Sequence, residues 1–317
     1  MKPWTVTYLG WDGVTPRQAI IVLPREWGPN YHPHPLPLVI SPHGRNNFAL
    51  NNARGYWQNA PAAGPFALVC PDGLSRARSA ATDPEDLPPN PSLFTYGNVG
   101  QIDDLARMPH IVDATLPWLQ LALDRVYVMG SSMGGQETLL LAARFPKALV
   151  GGHGRLAGAA AFDAPCDLAT QCGYLTHHRP SVAVNMIEEV GARPASVQSW
   201  NLEAGYLNRK TKRSSTIGAL LDELPTSQRE WNKRSALSFA RQLASLPFPL
   251  RLYWSTADIV VGNQERDQTG KLRARIERLN PRANVAAIRG TWAHSYEFFP
   301  GKKLGDALRA FDLVAQV

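Results

Sequence analysis

The sequence is poor in cysteine, with three in 317 residues, and has no long apolar run. Three thiols cannot all pair within one chain, so disulfides are not expected to hold the fold together. Cys70 lies inside the run Ala67-Leu68-Val69-Cys70, where a buried thiol is the expected state, whereas Cys166 and Cys172 stand close enough to bridge a small loop. The longest apolar stretches, such as Ala159 to Phe162 and Leu139 to Ala143, fall far short of the roughly 18 residues of a membrane span, so no membrane partner is expected. The amino terminus, Met1 to Tyr8, alternates like a strand and has no apolar signal core, which leads to the expectation of a cytoplasmic protein. Cys/His pairs at zinc spacing, a Walker loop and a G-x-G-x-x-G after a strand are also missing, so neither a metal nor another cofactor is expected.

What is present is the composition of a folded chain, 44% hydrophobic and 19% charged, which excludes disorder. The formal charge of +7 is scattered along the sequence. Its one cluster, Arg209-Lys210-Thr211-Lys212-Arg213, reads as solvated surface rather than as a nucleic-acid site; its remaining functional reading is a preference for anionic acyl groups.

Short apolar strands alternate with helical patterns. Thr5 to Leu9 and Gln18 to Leu23 form a hairpin across Trp11-Asp12-Gly13, where Asp-Gly supplies the turn. Further strands are expected at Leu36 to Ser41, Phe66 to Cys70, Arg125 to Met129, Leu156 to Phe162, Leu250 to Ser255 and Val285 to Arg289. Helices are expected over Gln101 to Leu121, interrupted at Pro109 and Pro117, over Met133 to Phe145, and over Leu304 to Val314. This is the pattern of an α/β fold with a mostly parallel sheet covered on both faces. From about Gln171 to Leu246 strands stop, while Val182 to Val190 and Ile217 to Leu224 keep helical spacing. A structureless loop of that length is improbable. Residues 1–170 and 247–317 are therefore read as the core, and 171–246 as an inserted helical cap.

The most informative residues are Gly130-Ser131-Ser132-Met133-Gly134-Gly135, between the strand ending at Met129 and the helix opening at Met133. This is G-x-S-x-G in a strand-turn-helix context, a nucleophile elbow in which Gly130 and Gly134 leave room for a strained turn. Ser132 has glycine at both flanking positions and is the candidate nucleophile; Ser131 is its packed or hydrogen-bonded neighbour. A serine hydroxyl needs a base, and the base needs a carboxylate to hold its tautomer. Asp258 follows the strand Leu250 to Ser255, and His294 follows the strand ending at Arg289, in the chain order serine, acid, histidine. Asp163 and Asp167 are the alternative acids. His32 and His34 lie in a proline-rich loop before the sheet core, and His177 and His178 in the expected cap, so none has the position of His294.

Acyl transfer also needs donors aimed at the developing oxyanion. The backbone N–H of Met133 and that of Arg45, in the loop His43-Gly44-Arg45-Asn46, are the candidates; Gly44 allows a tight turn there, and His43 fixes the loop through a hydrogen bond. Trp292 reads either as an aromatic wall of the substrate pocket or as a packed core residue.

These motifs resemble the α/β-hydrolase superfamily over nearly the whole chain. The segment Asp124 to Gly135 is similar to the elbow of feruloyl esterases, polyhydroxybutyrate depolymerases and related esterases. Arg234-Ser235-Ala236 through Pro249 to Asp258, Val261 and Gln264 resembles the prolyl-oligopeptidase-like branch. The resemblance implies a Ser132, Asp258, His294 triad, matching the residue-level placement, and a serine esterase acting on a small ester. An amidase or small peptidase uses the same triad and is the alternative. A non-catalytic binding protein on the same scaffold is the reading from a different class. The peptidases of that branch carry a large β-propeller ahead of the hydrolase domain, whereas the strands here begin at about residue 5, which favours the esterase.

Overall fold

The computed structural model describes residues 3–45, 47–55, 57, 64–73, 96–190, 228–298 and 302–314. Strands β1 (Trp4–Leu9) and β2 (Pro16–Val22) pair antiparallel. Asp12 closes the turn between them by accepting from the backbone N–H groups of Val14, at 3.1 Å, and Thr15, at 2.9 Å. The apolar runs that follow become β3 (Leu36–Ile40) and β4 (Ala67–Pro71), buried at every position. Then come β5 (Leu121–Ser131), β6 (Leu156–Phe162), β7 (Leu250–Ser255) and β8 (Val285–Gly290). The eight strands form one sheet in the order β1-β2-β4-β3-β5-β6-β7-β8. β2 is antiparallel to both β1 and β4, and every other pairing is parallel.

Alternation along the strands feeds two cores. Val126 and Val128 of β5 join one cluster, whereas Tyr127 and Met129 join the other. On the first face lie α2 (Val99–Thr115), α3 (Met133–Arg144), α7 (Ala240–Leu243) and α9 (Thr269–Leu279). On the second lie α1 (Ala49–Gly55) and α10 (Lys302–Ala310). The expected break at Pro109 does not occur: α2 runs through it and stops at Thr115, ahead of Pro117. Proline there removes one backbone donor, but Leu105, Met108, Ile111 and Val112 pack into the core on both sides of it and hold the helix together.

A third cluster lies over the carboxyl ends of the strands, where α4 (Leu168–His178), α5 (Pro180–Val190) and α6 (Gln228–Arg234) gather around Leu175, Met186, Ile187 and Trp231. These helices fall largely within the stretch read as a cap. Ile217 to Leu224 and the basic cluster Arg209 to Arg213 lie outside the described residues. Beyond α6, Ala236, Leu237, Ala240 and Leu243 pack into the core beneath the sheet rather than with this layer. The remaining helix, α8 (Gln264–Asp267), follows β7. Cys70, Cys166 and Cys172 are buried thiols, so no disulfide joins Cys166 to Cys172. Among the described residues, no helix is long and apolar enough to cross a membrane.

One ion pair is sealed between the hairpin and α2. The guanidinium of Arg17 on β2 binds the carboxylate of Asp104, and the two side chains are 1% and 0% exposed. Burial nevertheless pushes Asp104 up to about 6, against the opposing pull of Arg17 and Arg107. Replacing Arg17 by Met should lower unfolding stability by about 3 kcal/mol or more at neutral pH, because it leaves a buried carboxylate without its main partner. The loss should shrink in mildly acidic buffer, where Asp104 takes up a proton. Urea unfolding at the two pH values checks both points, and the double variant R17M/D104L should regain most of the loss.

Candidate active site

β5 delivers Ser131 and α3 begins at Met133, so Ser132 stands alone at the corner with φ 58° and ψ −127°. Its N–H donates to the carbonyl of Phe162 on β6 at 2.8 Å, and its own carbonyl accepts from Gln136 N–H at 3.0 Å. The corner is too tight for side chains beside it. A Cβ on Gly130 would sit 2.4 Å from the carbonyl oxygen of Gly134, and a Cβ on Gly134 would sit 2.3 Å from that of Pro42. Both obstacles are backbone, so neither can swing away. Ser131 is turned elsewhere: its hydroxyl donates to that of Ser295 at 2.7 Å.

The loop after β3 lies directly against this corner. His43, 2% exposed, donates from Nδ1 to the Gly44 carbonyl at 2.8 Å and accepts at Nε2 from Gly73 N–H at 2.9 Å. The ring is thus held neutral in one tautomer and ties the loop to the segment after β4. Gly44 is not among the glycines with positive φ. A Cβ there would stand 3.7 Å from both the Ser131 carbonyl oxygen and the Ser132 Cβ. These are ordinary contact distances, so neither a positive φ nor crowding demands glycine at the start of this turn, where the Gly44 carbonyl accepts from Asn47 N–H at 3.2 Å. Arg45 follows it; Asn46 lies outside the described residues.

Asp258 and His294 arrive from the ends of β7 and β8. His294 donates from Nδ1 to Asp258 Oδ2 at 2.7 Å, which leaves Nε2 as the ring's basic atom. The carboxylate is anchored by Val260 N–H at 2.8 Å and Val261 N–H at 3.0 Å on Oδ1, and by the Gln264 side-chain amide at 3.3 Å on Oδ2. The two alternative acids do other things. Asp167 caps α4, accepting from Thr170 N–H at 3.2 Å, and pairs with Lys271 at 3.1 Å.

Asp163 is buried at the end of β6 and accepts from Ser255 N–H at 2.9 Å, Ser295 N–H at 2.9 Å and the indole N–H of Trp292 at 3.0 Å. Burial pushes its carboxyl up to about 6; nearby His294 lowers it and Asp258 raises it. Asp163, Asp258 and His294 are the set of three ligand-type side chains whose polar atoms lie within 4.8 Å of one another among the described residues. Asp258 and His294 bond each other, whereas Asp163 bonds neither and serves backbone and indole donors instead.

Ser132, Met133, Arg45 and His294 share a pocket of about 240 Å³, walled by Leu175 of α4 and by Val182 and Met186 of α5. Trp292 does not line it, because its indole is turned to Asp163. The α4 and α5 wall and Tyr96, which also lines the pocket, were not marked as site residues by any sequence motif. Four of the six described non-glycine residues with positive φ, namely Tyr96, Ser132, Asp163 and Ser295, converge here. Such clustering of backbone strain is characteristic of functional sites.

The structure of S-formylglutathione hydrolase from Staphylococcus aureus superposes with a TM-score of 0.57 and 15% identity, covering 98% of both chains. With the strand order above, that likeness decides the fold. The chain has the α/β-hydrolase fold. Part of a longer chain is also similar: the acylaminoacyl peptidase of Pyrococcus horikoshii has a TM-score of 0.57 and 11% identity, covering 98% of this chain and 41% of that one. Among curated proteins, "Putative esterase NocK" of Nocardia uniformis subsp. tsuyamanensis is 30% identical over 144 residues. That match spans 43% of this chain and 39% of the relative, so the chain matches about two fifths of the relative's length. No family model matches the chain.

Proposed function

We propose that this α/β-hydrolase cleaves small carboxylic esters through an acyl-enzyme intermediate. The observation that carries the reading is the 2.7 Å His294–Asp258 hydrogen bond beside a left-handed serine that lines the same pocket as the imidazole. Ser132 Oγ attacks the ester carbonyl while His294 Nε2 takes its proton, and Asp258 stabilises the resulting imidazolium. The N–H groups of Met133, at the start of α3, and of Arg45 donate to the oxyanion. Collapse of the tetrahedral adduct breaks the C–O bond, and His294 returns the proton to the departing alcohol. Water then repeats the sequence on acyl-Ser132, releasing the acid. The layer of α4, α5 and α6 acts as the cap over this pocket, and the sheet with the helices on its two faces is the core that carries the chemistry. The name of the Nocardia relative supports the ester reading; the peptidase among the similar structures keeps amides in view.

A fluorophosphonate probe followed by peptide mapping should place the label on Ser132. Parallel assays should show p-nitrophenyl acetate hydrolysed with a far higher kcat/KM than p-nitroacetanilide. A higher rate on the anilide would make the protein an amidase, and absence of any label would sink the hydrolase reading.

A further inference from the structure

The ionisable groups around the pocket are unbalanced. Two arginines line it, Arg45 from the loop after β3 and Arg179 from the carboxyl end of α4, and among the described residues no carboxylate does. Neither guanidinium forms an ion pair among the described residues. The acids nearby are committed elsewhere: Asp258 to His294 at 2.7 Å, and Glu189 of α5 to Arg234 at 2.9 Å.

Arg45 lies beside the buried phenol of Tyr96, which lines the same pocket. Its Nε is buried without a partner among the described residues. An anion in the pocket would give the Arg45 guanidinium the charged partner that it lacks among the described residues. Arg179, the residue that caps α4 at its carboxyl end, lines the same space. Gln171 of α4 donates to the Val260 carbonyl at 2.9 Å and accepts from Gly262 N–H at 3.1 Å, and the Tyr174 hydroxyl donates to the Ile259 carbonyl at 3.1 Å. These bonds fasten α4 to the segment that carries Asp258, so the backbone at Arg179 is tied to the side of the reacting centre. Guanidinium groups match carboxylates in geometry as well as charge. At about 240 Å³ the space lies below the roughly 300–1,000 Å³ of pockets for drug-sized ligands, which favours short substrates.

We infer that the preferred substrates are short esters bearing a second, free carboxylate, which Arg45 and Arg179 hold while the ester carbonyl sits at Ser132. This rests on the ester-hydrolase reading above. The carboxylate can belong to the acyl part or to the alcohol part, and two substrate pairs separate these cases. Monoethyl glutarate against ethyl 4-carbamoylbutanoate places the charge on the acyl side. Acetoxyacetate against acetoxyacetamide places it on the alcohol side.

In one pair at least, the anionic member should have the higher kcat/KM by about tenfold or more, the least that a hydrogen bond to a charged group contributes. Added salt should reduce that ratio, since Arg179 is exposed. Arg179→Gln should reduce the ratio about tenfold, and Arg179→Glu should reverse it. Equal rates within both pairs, or ratios indifferent to Arg179→Glu, overturn the inference. If no ester is cleaved at all, the hydrolase reading falls, and glutarate binding measured by calorimetry decides the anion site separately. Binding weakened about tenfold by Arg179→Glu supports it, and absence of binding to the unmodified protein overturns it.

Discussion

Replacing Ser132 by Ala is expected to lower kcat for p-nitrophenyl acetate by roughly four to six orders of magnitude and to abolish fluorophosphonate labelling. The residual rate comes from the oxyanion donors and from binding, neither of which needs the hydroxyl. Stability should hardly change, because Ala and Ser suffer similar strain at φ 58° and the Ser132 backbone bonds to Phe162 and Gln136 remain. Ser132→Gly provides a control with a different signature. Glycine adopts positive φ without strain, so this variant should be as inactive as Ser132→Ala while melting at the same temperature or higher. Ser131→Ala, by contrast, removes a bond to Ser295 and should retain most of the activity. If Ser132→Ala kept a tenth of the rate, or if Ser131→Ala were the dead variant, the assignment of the nucleophile would be wrong.

The strands were legible because parallel strands buried on both faces appear as continuous apolar runs; β3, β4 and β6 are such runs in the structure. β5 extends beyond the expected Arg125 to Met129 by four residues at its start and two at its end. Its first residues, Leu121 to Asp124, are only partly buried or exposed, so they carry no such signature although Leu121 pairs with Leu36. Among charged neighbours in α9, Leu272 and Ile276 are the buried apolar marks, too few to announce a helix. The site shows the same division. Its chemistry-bearing residues follow strands at recognisable positions, and Val261 and Gln264, noted in the sequence only through a resemblance, turn out to hold the Asp258 carboxylate. The partner of Trp292 could not be read in that way. The indole is claimed by Asp163, 129 positions earlier, and nothing local to either residue signals that pairing.

Asp163 and Asp258 thus set up the second large expected effect, because the two buried carboxylates beside His294 hold different partners. In Asp258→Asn the amide can still offer its oxygen to Val260 and Val261 N–H, but its NH₂ then faces His294 Nδ1. The ring must accept there and carry its proton on Nε2, which removes the base from the side facing Ser132. A fall in kcat of about 10⁴ is the expected scale for such a wrong tautomer, with a small change in melting temperature.

Asp163→Asn should act the other way round. Its oxygens serve the N–H groups of Ser255, Ser295 and Trp292, and an amide can serve them only in part. An unsatisfied buried donor costs about 1–3 kcal/mol, so this variant should unfold at lower denaturant concentration while keeping a larger share of its activity than Asp258→Asn. Its pH dependence has a defined sign. The wild-type Asp163 carboxyl is held at about 6 in the fold, above its ordinary 3.8. Between these values the folded chain keeps a proton that the unfolded chain releases. The resulting stabilisation is fully present below the ordinary value and lost as pH rises through about 6. The Asn variant has no such proton, so the stability gap between wild type and Asp163→Asn should widen as pH falls from 7 to 4. If Asp163→Asn were the inactive variant and Asp258→Asn retained activity, Asp163 would be the acid of the triad and Asp258 its support.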